Sequence, residues 1–215
     1  MASRGQNFQS WNYSRDVLVE NNYTLASRDT SRYRLAANQE DSINFGLTDR
    51  IIARGNYIVG GQSPSGCGLI ADEGANYAQF LNNVLIDTGQ CGIGISDGFN
   101  HIVDGNRIIN SNPVRDGGNT AIYVWKVEPL SPPCSGVKVS NNIASQLKPD
   151  GTESGFWDGG GCDPVTLWNN VFDSAARAEL MPVARKLAPP LIPPQPYTCP
   201  APSPYTNRAG CNSSL

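Results

Sequence analysis

The sequence has one histidine, few charged residues and no long apolar run. Its 215 residues include 16 basic and 19 acidic side chains, which give a formal net charge of −3. Lysine and arginine form no cluster that could follow a phosphate backbone, so nucleic acid is not an expected partner. The apolar runs are a few residues long, far short of the roughly 20 that cross a bilayer. We therefore expect a water-soluble protein that binds neither nucleic acid nor membrane.

Six cysteines stand without a C-x-x-C pair or a histidine cluster, which favours disulfides over a zinc site. They are Cys67, Cys91, Cys134, Cys162, Cys199 and Cys211. Disulfides indicate an oxidising location, so we expect the protein to be secreted or on the cell surface. The first five residues, Met-Ala-Ser-Arg-Gly, lack the apolar segment of a signal peptide. We therefore expect either that residue 1 is an artificial start of the chain or that an N-terminal part is missing.

A short β-rich segment that ends in asparagine recurs six times. The marker residues are Asn22, Asn56, Asn83, Asn106, Asn142 and Asn170. Their spacing never falls below 23 residues but varies upward, which is typical of a rung of fixed circumference with loops of variable length. Strands of successive rungs would pair at about 4.8 Å. The asparagines are predicted to lie at bends, to tolerate a left-handed backbone, and to bond to one another in a ladder.

A second repeat lies between the markers, where residues 67–76 and 91–100 align without a gap at an offset of 24. Both segments begin with Cys-Gly and end with asparagine. Cys67 and Cys91 therefore occupy equivalent places in adjacent rungs, and stacking would bring them to a separation that suits a disulfide.

The next two cysteines repeat this relationship. Cys134 lies eight residues before Asn142, and Cys162 lies eight residues before Asn170. Equivalent positions on consecutive rungs again predict a disulfide.

These stretches, such as Asn169-Asn170-Val171 and Gly92-Ile93-Gly94-Ile95, resemble the right-handed parallel β-helix repeats of the pectate-lyase-like superfamily. The resemblance covers roughly residues 14–172. It implies an all-β, single-stranded solenoid that acts on or binds a polysaccharide or oligosaccharide along one face, as a lyase or a glycosidase does. The superfamily also includes adhesins and phage tailspikes, so a non-catalytic scaffold is the alternative. Its enzymes' signature motifs are missing here, which leaves catalysis open.

The repeat pattern predicts three parts of the chain. Residues 1–172 would form the β-helix, and residues 173–187 a helical cap at its C-terminal end. Residues 188–215 would be an extended proline-rich tail, in which Cys199 and Cys211 close a small loop. The oligomeric state cannot be inferred from this pattern.

Alternation along the Gly-Ile-Gly-Ile strand predicts which side chains face solvent. Leu69, Ile93, Ile122 and Phe156 are expected to point inward, and Ile70, Gly94, Tyr123 and Trp157 outward. Trp125 follows one step along the strand from Tyr123. Exposed aromatic rings on a flat sheet form a platform for sugar rings, with apolar area and a polar tip. Tyr123, Trp125 and Trp157 are therefore the expected substrate-binding residues, and the alternative is that an inserted loop covers them.

The catalytic candidates lie in the turns that follow. Glu73 and Asp97 would stand one rung apart, followed by Lys126. Two neighbouring carboxylates could share a proton or a calcium ion, although solvated turn residues are the alternative. Apart from this calcium, no cofactor or metal is expected. His101, the one histidine, has the intrinsic pKa for proton transfer, and its alternative is a solvated turn residue.

Two further residues are candidates for contact with a saccharide. Arg115 lies in a long insert between rungs, where loops commonly wall a groove, and an arginine there would bind an anionic sugar. A surface ion pair with Asp116 is the alternative. Asp158, which follows Trp157 directly, is the second candidate.

Overall fold

The described residues form eighteen short strands and one helix, numbered here in chain order. The structure is a computed structural model, and it describes residues 6–25, 40–61, 63–115, 117–127 and 134–187. Sheet 1 contains β1 (Phe8–Ser10), β4 (Ile43–Gly46), β7 (Ser63–Asp72), β10 (Gly89–Ser96), β13 (Thr120–Trp125) and β16 (Phe156–Gly160). Sheet 2 contains β2 (Leu18–Glu20), β5 (Ile52–Arg54), β8 (Gln79–Leu81), β11 (Ile102–Asp104), β14 (Val137–Ser140) and β17 (Val165–Trp168). Sheet 3 contains β3 (Tyr23–Leu25), β6 (Tyr57–Val59), β9 (Val84–Ile86), β12 (Arg107–Asn110), β15 (Ile143–Gln146) and β18 (Val171–Phe172).

Each sheet takes every third strand, and the strands pair in parallel. Three consecutive strands therefore make one turn of a solenoid, which we call a rung. Rung 1 is β1–β3 and rung 6 is β16–β18. The parallel β-helix predicted from the repeats is confirmed.

Inward side chains stack from rung to rung and form the core. In sheet 1, Leu69 pairs with Ile93, and Ile93 pairs with Ile122. All three side chains are fully buried. Burial of one such aliphatic side chain stabilises the folded state by about 1.5–3 kcal/mol. The predicted inward and outward alternation of this strand is confirmed.

The asparagine ladder runs along the bend between sheets 2 and 3. The Nδ2 of each marker asparagine donates to the Oδ1 of the next, through five links of 2.9–3.0 Å from Asn22 to Asn170. The left-handed backbone, however, lies one residue earlier than predicted. Those residues are Asn21, Gly55, Asn82, Gly105, Asn141 and Asn169, with φ between 51° and 68°. The residue before the marker turns the chain, and this turn aims the marker side chain into the ladder.

Both disulfides predicted within the solenoid are present. Cys67–Cys91 and Cys134–Cys162 join adjacent rungs, with Cα–Cα distances of 4.6 and 4.2 Å. The second pair lies in the core, and the first lies on the outer face of sheet 1. The proposed partners Cys199 and Cys211 lie outside the described residues.

The C-terminal helix α1 (Asp173–Leu187) follows β18 directly. It packs on the outer side of sheet 3, where Leu180 joins an apolar cluster with Val59, Ile86 and Ile109. The helix therefore covers the flank of the solenoid and does not lie across its end, where Leu167 of the last rung is 48% exposed. Among the described residues, no helix is long and apolar enough to cross a membrane.

Candidate functional site

The outer face of sheet 1 carries the candidate site. Ile70 pairs with Gly94, Gly94 with Tyr123, and Tyr123 with Trp157, which confirms the predicted outward column. Trp125 lies one outward position further along β13. Its ring and that of Trp157 meet edge to face, with centroids 5.8 Å apart and an interplanar angle of 63°.

These two tryptophans stand at a pocket of about 380 Å³ that spans rungs 4 to 6. Its lining residues are Gln90, Cys91, Gly118, Thr120, Tyr123, Trp125, Lys148, Ser154 and Trp157. Trp125 and Trp157 are 38% and 46% exposed. The pocket therefore offers apolar ring surface beside hydroxyl, amide and ammonium groups. All three aromatic residues predicted from the sequence line it.

Tyr123 differs from the expectation because its ring is largely covered. A Cβ atom placed on Gly94 would come within 2.7 Å of the ring and its hydroxyl, so the ring lies flat over that glycine. On the outer face it packs with Ile70 and the Cys67–Cys91 disulfide. Burial, together with nearby carboxylates, raises the pKa of Tyr123 well above its ordinary value. Tyr123 forms a wall of the pocket, and the exposed platform is limited to the tryptophans.

The insert at residues 111–119 forms the opposite wall. The Gly118 N–H donates to Gln90 Oε1 at 2.9 Å, and Gln90 Nε2 donates to the Ser65 carbonyl at 2.6 Å. These bonds hold the Gln90 amide against the insert. Arg115 is exposed on the same insert and is not among the lining residues. Its possible ion-pair partner Asp116 lies outside the described residues.

The pocket ends at rung 4, and the same face becomes covered and polar towards the N-terminus. Asp41 is 6% exposed. Its Oδ1 accepts from the Cys67 N–H at 2.7 Å, and its Oδ2 accepts from Asn44 Nδ2 at 2.8 Å. Burial raises the pKa of Asp41 to about 6. The alignment of the internal repeats missed Asp41 because β4 lacks the Cys-Gly start that marks the equivalent strands.

The predicted catalytic residues are not at the pocket. Glu73 and Asp97 both take the left-handed conformation in the turns after β7 and β10, as equivalent positions should. Glu73 is exposed, whereas Asp97 is 1% exposed, so the solvated turn expected for Asp97 is wrong. Lys126 is half-buried after β13. Within the described ranges, no group of three or more metal-ligating side chains could hold a metal ion.

His101 lies inside the solenoid, so the solvated turn position considered for it is wrong. Its Nδ1 accepts from the Ala78 N–H at 3.2 Å. The ring proton therefore sits on Nε2, which donates to the Asp97 carbonyl at 3.1 Å. Burial lowers the pKa of His101 to about 4. The ring is completely enclosed and has no path to a ligand on the outer face.

The location of His101 follows from a change in rung spacing. Cys67 pairs with Cys91 at an offset of 24, but Gln79 pairs with Ile102 at an offset of 23. One residue is thus lost in the intervening turn. That loss places His101 beside Ala78 in an inward column.

Asp158 is exposed beside Trp157, and its Oδ1 accepts from the Gly160 N–H at 2.8 Å. This bond closes a local turn. Asp158 lies outside the pocket lining, although it stays near the exposed ring of Trp157.

Comparison with known proteins finds no match, whether among family models, curated proteins or solved structures. Function is therefore inferred from the geometry of the pocket.

Proposed function

We propose that the protein binds a saccharide in the pocket between the tryptophan pair and the insert at 111–119. The observation that carries this proposal is the half-exposed, edge-to-face pair of Trp125 and Trp157 beside hydrogen-bonding groups. A sugar ring presents C–H groups on its faces and hydroxyls around its edge. Indole rings suit the faces, and Gln90, Thr120 and Ser154 suit the hydroxyls.

The size of the pocket agrees with this ligand. Small-molecule sites commonly enclose about 300–1,000 Å³, and a volume of about 380 Å³ falls at the lower end of that range. A short stretch of an oligosaccharide or polysaccharide would fit. The resemblance of the repeats to the pectate-lyase-like superfamily supports the same class of ligand, and the two disulfides support a secreted or cell-surface location.

We propose binding rather than cleavage. Enzymes that cleave glycosides commonly use two carboxyl groups that flank the bond. The described residues that line the pocket include no carboxylate, and their ionisable side chains are Lys148 and Tyr123. The protein would then be a binding module of the adhesin or tailspike type. Calcium at Glu73 and Asp97 stays a prediction.

A glycan array followed by calorimetry tests the proposal. Trp157→Ala should lower the affinity for the tightest-binding saccharide by at least about tenfold, since loss of a ring contact of about 1.4 kcal/mol has that effect. Trp168→Ala is the matched control because this tryptophan is 66% exposed on sheet 2, away from the pocket. It should leave affinity unchanged.

Three outcomes would contradict the proposal. Equal loss in both variants, or no saccharide bound by the natural chain, would exclude the pocket as a sugar site. Release of reducing ends or of unsaturated sugars from a bound polysaccharide would replace binding with cleavage.

A further inference from the structure

A buried glutamine lies behind the pocket, at the end of rung 5. Gln146 is the last residue of β15, its side chain is fully buried, and it is not among the residues that line the pocket. Its Nε2 donates to the Gly89 carbonyl at 2.8 Å and to Asn119 Oδ1 at 3.3 Å. Its Oε1 accepts from Asn110 Nδ2. The whole amide group is therefore fixed by bonds to other parts of the chain.

The partners of Gln146 lie next to residues that line the pocket. Gly89 begins β10 of rung 4, and Asn119 ends the insert before β13 of rung 5. The backbone carbonyl of Gln146 accepts from the Ser154 N–H at 2.9 Å, just before β16 of rung 6. One residue thus connects the starts of three successive rungs of sheet 1. The lining residues at these three places are Gln90, Cys91, Gly118, Thr120 and Ser154.

Asn119 carries this connection into the insert. It is 2% exposed and has a left-handed backbone with φ of 48°. Its Oδ1 accepts from the Val114 N–H at 2.8 Å, and its Nδ2 donates to the carbonyls of Val114 and Gly117 at 2.6 and 2.7 Å. The Asn119 side chain therefore shapes the insert, and the bond from Gln146 joins it to the interior of the solenoid.

The length of the glutamine side chain decides which groups it reaches. Asn110 pairs with Gln146 and so holds the equivalent position in rung 4. Asn110 Nδ2 comes only to 3.4 Å from the Gly89 carbonyl, although both residues belong to one rung. Gln146 lies one rung further away, yet its extra methylene brings Nε2 to 2.8 Å from the same carbonyl. An asparagine at position 146 would keep an amide in the interior but would fall short of Gly89 and Asn119.

We propose that Gln146 is a positioning residue of the saccharide site. It does not touch the ligand, but it holds Gln90, the insert and Ser154 in the arrangement that binds. A site whose polar groups are fixed by bonds from a surrounding layer has less conformational entropy to lose when a ligand binds. This inference rests on the proposed function, and it adds a residue that acts on affinity through the pocket wall.

Gln146→Leu tests the inference, with Asn56→Leu as the matched control. Asn56 is a buried amide of rung 2 that likewise donates to a backbone carbonyl, that of Val19, and to an asparagine, Asn83. Only Gln146→Leu should lower the affinity for the array glycan that the natural chain binds most tightly, by at least about fivefold, which corresponds to about 1 kcal/mol. Gln146→Asn keeps a polar interior and should show a loss in the same direction in a chain that retains more stability. Calorimetry measures all three variants.

Amide hydrogen exchange of Val114 gives a second readout that needs no glycan. Because its N–H donates to Asn119, it should exchange at least about fivefold faster in both Gln146 variants than in the natural chain and in Asn56→Leu. Unchanged affinity in the Gln146 variants, equal loss of affinity in Asn56→Leu, or unchanged exchange of Val114 would overturn the proposal. If the natural chain binds no glycan, the proposed function fails, and the exchange of Val114 decides separately whether Gln146 holds the insert.

Discussion

The interior of the solenoid repeats from rung to rung, whereas its outer face changes at each rung. Inside, one asparagine per rung bonds to the next, and aliphatic side chains stack beside them. Outside, one column of sheet 1 reads Asn44, Ile70, Gly94, Tyr123 and Trp157. We infer that stability depends on the repeated positions, and that the proposed binding surface is formed by positions that the repeat leaves free.

The largest expected effect comes from interruption of the ladder. Asn106→Leu would remove the acceptor of the Asn83 N–H and of Asn83 Nδ2, and the side-chain donor to the Phe80 carbonyl. Each unpaired buried group costs about 1–3 kcal/mol, so we expect the free energy of unfolding to fall by about 3–5 kcal/mol. Asn112→Leu, in an exposed loop, should change it by less than about 0.5 kcal/mol. Denaturant titration measures both. A loss below about 1 kcal/mol for Asn106→Leu would show that the ladder contributes little.

Removal of each disulfide in turn tests the interior against the outer face, because Cys134–Cys162 lies in the core and Cys67–Cys91 on the outer face. They close segments of 24 and 28 residues, for which the chain-entropy estimate is about 3.5 kcal/mol each. Replacement of either pair by alanine should therefore lower the unfolding free energy by a similar amount. Only the Cys67/Cys91 variant should also weaken saccharide binding, because Cys91 lines the pocket and the pair supports Tyr123. Equal affinity in both double variants would contradict this role.

Two buried titrating groups should oppose each other in acid. His101 has a folded pKa of about 4 against an ordinary 6.5, so its stabilising contribution is complete above pH 6.5 and is lost as the pH falls towards 4. Asp41 has a folded pKa of about 6 against 3.8, so its contribution is complete below pH 3.8 and is lost as the pH rises towards 6. Each of these pKa differences corresponds to about 3 kcal/mol of unfolding free energy.

These opposite signs predict a shallow pH dependence of stability between pH 4 and 6.5 for the natural chain. Asp41→Asn removes the opposing carboxyl, so that the pH dependence due to His101 should become visible. The unfolding free energy of this variant should fall by about 3 kcal/mol as the pH drops from 6.5 to 4. His101→Gln should show the reverse slope. Unfolding titrations across this range measure both, and a flat profile in Asp41→Asn would exclude His101 as the opposing group.

The smallest expected effects on stability come from substitution of two glycines of β10, Gly92 and Gly94. A Cβ on Gly92 would lie 2.3 Å from an Ile108 methyl and 2.8 Å from the Ala121 carbonyl, so Gly92→Ala should cost about 1–3 kcal/mol. For Gly94→Ala, the three nearest atoms all belong to the outer end of the Tyr123 side chain, which can shift more easily than backbone. We expect a cost below about 1 kcal/mol together with altered saccharide affinity. Thermal unfolding and calorimetry compare them. The reverse order of stability would mean that Tyr123 is fixed more firmly than the core.

Sequence reasoning predicted the interior because its positions obey one spacing rule. The ladder, the inward column and both disulfides follow from equivalent positions in successive rungs. His101 escaped the rule because a single residue lost in a turn moves every later residue of that rung. Pattern alignment at a constant offset cannot detect such a loss, whereas the pairing of Gln79 with Ile102 reveals it.

The outer face was harder to predict because burial there depends on neighbours from other rungs. Tyr123 was expected to be exposed, yet the absence of a side chain at Gly94 lets its ring lie down against the disulfide. Asp97 became buried in a turn whose counterpart Glu73 is exposed. Trp125 and Trp157 were predicted well because they lie on the last two rungs, where alternation along the strand decides their exposure.

The unequal lengths of the rungs have a consequence for how such a molecule acquires new surfaces. Successive ladder asparagines are separated by as few as 23 and as many as 36 residues, yet their side-chain bonds have the same length to within 0.1 Å. Closing the longer rung costs only about 0.4 kcal/mol more chain entropy, because that cost grows with the logarithm of length. Insertion at a corner is therefore nearly neutral for folding. One of the two longest rungs contains the insert at 111–119, which contributes Gly118 to the pocket. The proposed binding site thus gains part of its wall from a longer loop, with the core unchanged.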